Sequence, residues 1–190
     1  MKAYLPLENY IEKKETKYGV GLLVSLSEDK VKSQTSRIKN VTSYNQWLST
    51  DIPDENCFLN LQKTLKEQIS LLEGLKKPDF MQVLFITELT KIFNSDIKNR
   101  EMFDLTVKEF TDEKYQELIK LTGFELIQFV NERCRNHDMA KSSALLYTAN
   151  IKGSFIPNGS ETDFLVFNPH NDLTNVVPNK AILEKSNFII

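Results

Sequence analysis

Apolar residues recur at helical spacing through the middle of the chain and lose that rhythm towards both ends. In "DENCFLNLQKTLKEQISLLEGLKKP", Phe58, Leu61, Leu65, Ile69, Leu72 and Leu75 fall on one stripe. Asp54 is placed to cap the start, and Gly74 with Pro78 to end it. "PDFMQVLFITELTKIFN" is apolar round most of its circumference, as a helix buried at the centre of a domain is. "SDIKNREMFDLTVKEF" and "TDEKYQELIKLTG" continue the pattern. Thr122 and Glu125 then form a T-x-x-E capping box for "FELIQFVNERCRNH". Several amphipathic helices with short connections read as an antiparallel bundle.

The flanks read differently. "GVGLLVSLS" at 19–27 is short and rich in branched apolar residues, which predicts a buried strand. "SEDKVKSQTSRIKN" opens with Ser27 as N-cap and two acids, a helix start with a thin apolar face. The segment after Pro6, with Leu7, Tyr10 and Ile11, predicts another thin helix. "DFLVF" reads as a strand after the turn "PNGS". Residues 139–151 fit helix or strand. The tail "AILEKSNFII" is expected to dock as an edge strand beside "GVGLLVSL", or to insert into a partner.

Together these elements predict a mostly helical α+β fold. An antiparallel helical bundle over about 54–137 forms the core. A small antiparallel sheet from the N-terminal strand and the C-terminal segment packs beside it. Residues 1–53 and 138–190 pack on that core within a single domain, 1–190.

Composition narrows the function classes. With 190 residues and 41% hydrophobic content, a core forms without disulfides or metal. The net charge of -2 lacks the basic excess that phosphate binding needs, so no nucleic-acid partner is expected. Residues 1–40 are mildly basic, with eight Lys/Arg against five Asp/Glu, as a solvated surface is. No apolar run is long enough to cross a bilayer, and "MKAYLPLENYIEKKE" lacks a signal-peptide core, so a cytoplasmic, membrane-free protein is expected. The Lys/Asn/Ile/Phe-rich composition resembles that of AT-rich bacterial or viral genomes. Cys57 and Cys134, far apart, read as free thiols.

The sharpest chemistry lies in "NERCRNHDMAKSS". Cys134 and His137 three apart can share one helical face, and with His170 they are the candidates for a Cys/His catalytic site. As a metal centre the pair is half a site, because a structural zinc needs four ligands and a catalytic one three. Cys134 also extends the stripe of Ile127 and Val130, and His137 suits a helix C-terminus. No metal or cofactor is therefore expected. Tyr44 and Trp47, with Phe188, Ile189 and Ile190, are the candidate interface residues. The sequence-level expectation is a non-enzymatic interaction protein: an adaptor, a secretion chaperone, an immunity or inhibitor protein, or an assembly subunit. Its partner is another protein, and homo-oligomerisation is open. The alternative is a hydrolase or toxin-like enzyme with a Cys/His site assembled by the fold.

Overall fold

The structure is a computed structural model that describes residues 1–6, 14–36, 46–95, 97, 99–158 and 161–180. Its centre is an eight-stranded mixed sheet rather than a helical bundle. The strands are β1 (Lys2–Pro6), β2 (Lys14–Thr16), β3 (Gly19–Ser25), β4 (Gln46–Asp51), β5 (Phe58–Asn60), β6 (Gly153–Asn158), β7 (Glu161–Val166) and β8 (Thr174–Lys180). They lie in the order β5-β6-β7-β3-β1-β4-β8, with β2 paired to the start of β3. Every pairing is antiparallel except β5 with β6. The predicted bundle with a small antiparallel sheet is thus overturned.

Two features misled the helical reading. The 58–75 stripe begins in a strand: Phe58, Leu59 and Asn60 are extended, and α2 covers only Ile69–Leu75. The 78–93 segment, apolar round most of its circumference, is two short helices, α3 (Pro78–Leu84) and α4 (Ile86–Phe93), broken at Phe85. Val83, Ile86 and Phe93 are each more than half exposed, so that segment is not the buried centre. The remaining helices are α1 (Glu28–Ser36), α5 (Arg100–Leu118), α6 (Gly123–Arg133), α7 (Met139–Thr148) and α8 (Pro169–Asp172). Residues 139–148, open from sequence, are helical. The predicted strands at 19–27 and in "DFLVF" are β3 and β7. The slot proposed for the tail beside "GVGLLVSL" is filled, because β3 lies between β1 and β7. The tail, and the helix expected after Pro6, fall outside the described residues.

The interior strands β3 and β7 carry apolar residues on both faces, which is why "GVGLLV" and "FLV" read as continuous hydrophobic runs instead of alternating ones. One face, with Leu59 and Leu165, joins α2–α7 in the larger core around Phe80, Phe85, Leu118 and Ile127. The other gathers Ala3, Leu5, Leu22, Val24, Leu48, Phe58, Phe155, Phe164 and Val166. Ile52 and Leu173, from the β4–β5 and β7–β8 connections, belong to that second core.

The β4–β5 connection sets the curvature. β4 and β5 stand five strand positions apart yet are joined by residues 52–57 alone. Five steps on a flat sheet span about 24 Å. Six residues reach that far only when fully extended, and Glu55–Cys57 are wound into a 3-10 turn. The sheet must therefore coil, with the connection crossing its concave side.

Candidate functional site

The helix-bearing face of the sheet is not fully covered. Leu23, in the interior strand β3, is 36% exposed at the floor of a cleft. A cavity of about 170 Å³ lies over it, lined by Thr16, Tyr18, Leu23, Leu61, Ser154, Phe155, Asp163 and Leu165. A smaller one of about 30 Å³ continues towards α1, between Tyr4, Ser25, Lys30, Val31 and Gln34, and shares Leu23 and Asp163.

Local chemistry fixes each wall. The β2–β3 turn is tied by Thr16, whose Oγ1 accepts the Tyr18 N–H and donates to the Gly19 carbonyl, both at 3.1 Å. Gly19 has φ +127, a conformation that L side chains rarely adopt, and an added Cβ would meet Phe167 and Ser143. The Ser154 hydroxyl donates to the Tyr18 carbonyl at 3.1 Å, and the Tyr18 ring meets Phe124 edge-on. The opposite wall, α1, starts at Ser27, whose Oγ accepts the Lys30 N–H as the sequence predicts. Its thin apolar face suffices because Val31 is 1% exposed and polar contacts add to it. Trp47 Nε1 donates to Glu28 at 3.1 Å, and the Lys32 ammonium sits 5.3 Å from the Trp47 ring centre.

Asp163 joins the walls. Its Oδ2 accepts from Lys30 Nζ at 2.8 Å, while its Oδ1 is buried with no hydrogen-bond partner among the described residues. A buried acceptor without a donor costs about 1–3 kcal/mol. Rotation about the last side-chain torsion of an aspartate is soft, so either oxygen can be turned to the cleft. The cleft thus offers an apolar floor beside a carboxylate of which one oxygen is held by Lys30 and the other has no donor among the described residues. Thr16 and Ser154 spend their hydroxyls on backbone groups, and neither cavity is lined by an imidazole or a thiol.

The residues singled out from the sequence lie elsewhere. Cys134 caps the C-terminus of α6, half-buried against the larger core. The helix ends there: Asn136 and His137 have φ of 66 and 51. Cys134 and His137 therefore do not share a helical face. His170 lies exposed in α8, and no three His, Cys, Asp or Glu among the described residues are grouped to hold a metal ion. Trp47 is 6% exposed, its ring already in use inside the chain. Tyr44, Phe188, Ile189 and Ile190 fall outside the described residues.

A second polar cluster went unread in the sequence. Lys152 Nζ donates to Tyr147 Oη at 3.1 Å, and Tyr147 donates to Asp172 Oδ1 at 3.1 Å. Asp172 is 8% exposed, and its Oδ2 has no hydrogen-bond partner among the described residues. Burial alone would push the Lys152 ammonium down. The Tyr147 hydrogen bond and the Asp172 charge outweigh that and hold it above the ordinary lysine value. The network fastens α8 to the junction of α7 and β6.

No protein-family model, no curated protein and no solved structure matches this chain.

Proposed function

We propose that this chain is a binding protein whose cleft between α1 and the β2–β3 turn takes a small amphipathic molecule. The unpartnered Asp163 Oδ1 beside the exposed Leu23 supports this reading most directly. A ring with one N–H or O–H donor fits both features: its apolar body covers Leu23 and Leu165, and its donor satisfies the carboxylate. Lys30 neutralises Asp163, so a neutral donor suits the site better than a cation. A cavity of about 170 Å³ is of the size that holds a single six-membered ring.

Phenol and toluene are the probes, since they share a ring and differ in the donor. Titrated into isotope-labelled protein, phenol is expected to give saturable amide shifts at Tyr18, Leu23 and Asp163, at lower concentration than toluene. Leu23→Trp, which fills the cleft, is expected to abolish them while the thermal midpoint holds. Equal binding of toluene would remove Asp163 from the reading, and no shifts with either probe would remove the ligand.

The protein-interaction reading made from the sequence keeps a separate support. Ile69, at the start of α2, is 75% exposed on the rim of another groove.

A further inference from the structure

That groove, of about 290 Å³, opens at the β5 edge of the sheet. Phe58, Phe155 and Leu71 form its apolar floor, and Glu55, Glu67 and Lys63 stand on its rim. We propose that it docks an arginine side chain of a protein partner, with an apolar residue following that arginine placed over Ile69. This rests on the protein-interaction reading and is independent of the ligand cleft.

Several features bear on it. The groove is held open in advance, because the Ser70 hydroxyl donates to the Asn56 carbonyl and ties the 3-10 turn to α2. Its volume is just under the roughly 300 Å³ at which small-molecule sites begin, and suits one long side chain. The rim carries two carboxylates against one ammonium, so it favours a cation. Glu67 Oε2 accepts the backbone N–H and hydroxyl of Thr64, while the Glu55 carboxylate accepts no bond among the described residues and only its carbonyl is used, by the Phe58 N–H. An arginine stem lies along apolar surface while its planar guanidinium meets a carboxylate through two parallel bonds. Ile69 selects the source of that cation. Free arginine satisfies the rim and leaves Ile69 in water, whereas a peptide covers both, as contacts round an interface anchor do.

The test titrates the full chain, isotope-labelled, with the N-acetylated, C-amidated dipeptides Arg-Leu and Glu-Leu and with arginine amide. Arg-Leu is expected to give saturable amide shifts at Asn56, Asn60 and Ser70, with Glu-Leu and arginine amide each about tenfold weaker or more. Ile69→Ser should weaken Arg-Leu and leave arginine amide unchanged. Glu55→Lys should abolish binding of both without moving the thermal midpoint. Absence of saturable shifts with Arg-Leu overturns the proposal, as does equal binding of Glu-Leu. If arginine amide binds as tightly as Arg-Leu, the groove is a site for a free cation and the protein partner is overturned. None of these outcomes bears on the phenol titration, which reads Tyr18, Leu23 and Asp163.

Discussion

The carboxamide of Gln68 stands where a neighbouring strand would lie on the main chain of Asn60. Its oxygen accepts the Asn60 N–H at 2.8 Å, and its nitrogen donates to the Asn60 carbonyl at 3.0 Å. The same nitrogen donates to the Lys63 carbonyl at 3.0 Å. Both residues are buried. β5 has only three residues and a parallel partner on one side alone. One side chain therefore closes an edge that would otherwise present unpaired main-chain groups.

Gln68→Leu keeps the volume and strands the Asn60 N–H and carbonyl. It is expected to cost about 2–3 kcal/mol, lowering the thermal midpoint by roughly 4–12 °C for a chain of this size. Gln68→Glu tests the polarity of the contact. At neutral pH its carboxylate faces the Asn60 and Lys63 carbonyls, which raises its folded pKa. Its deficit relative to wild type should shrink as pH falls and the acid gains a proton to donate. A deficit independent of pH would mean that the amide nitrogen is not the donor.

The Lys152–Tyr147–Asp172 network gives an alkaline signature. Lys152 is held protonated above its ordinary value by Tyr147 and Asp172, after burial is overcome. Its contribution to stability is therefore complete below the unfolded lysine pKa, about 10.4. It is lost as pH rises through the folded value. Wild type should lose stability across that window more steeply than Lys152→Met, as read from urea midpoints. Asp172→Asn leaves the ammonium without its counter-charge. It should cost about 2–3 kcal/mol, below the roughly 3–5 of a fully buried pair, because Lys152 keeps 22% of its side chain in water.

What the sequence disclosed depended on whether the signal was local. The T-x-x-E box, the Ser27 cap and the strands read in "GVGLLVSLS" (19–27) and "DFLVF" follow from neighbours a few residues apart; the caps are present, and the strands run over 19–25 and 161–166. The sheet was hidden in part because β5 buries Phe58 on one face and Leu59 on the other, so it merged into the stripe that continues in α2. The candidate cleft was hidden for the same reason. Leu23 sits in an unbroken apolar run: Leu22 is buried on the opposite face, and the gap between α1 and the β2–β3 turn leaves Leu23 exposed. Asp163 was the available clue, a lone acid opening "DFLVF". Its partner, Lys30, is 133 residues away. Cys134 and His137 drew notice by rarity, and rarity carries no geometry.

The α6 capping box gives an acid-side signature of opposite sign. Glu125 is held below the usual glutamate range by the Thr122 backbone N–H and then by its hydroxyl. Its contribution is present above the unfolded value, about 4.3, and is lost as pH falls through the lower folded one. Glu125→Gln should flatten the acid limb of the stability curve. Thr122→Ala should cost about 1 kcal/mol at neutral pH. An unchanged acid limb in Glu125→Gln would mean that the side chain does not reach back to Thr122.

Phe85 and Ile86 are adjacent in the chain, yet the first is buried and the second exposed. Phe85 is 1% exposed, with Phe110 and Phe129 against its ring at centroid distances of 5.9 and 6.0 Å. The Arg133 guanidinium lies 5.3 Å from the same ring centre. Ile86 is 58% exposed, on the stripe with Val83 and Phe93. Phe85→Ala removes a packed ring and is expected to cost about 3–5 kcal/mol. Ile86→Gln changes a residue already in water and should stay within about 0.5 kcal/mol. Denaturant midpoints at constant slope measure both. A helix buried all round would make the second substitution cost about 2–5 kcal/mol, so the pair of values checks that 86–93 is buried on one side only.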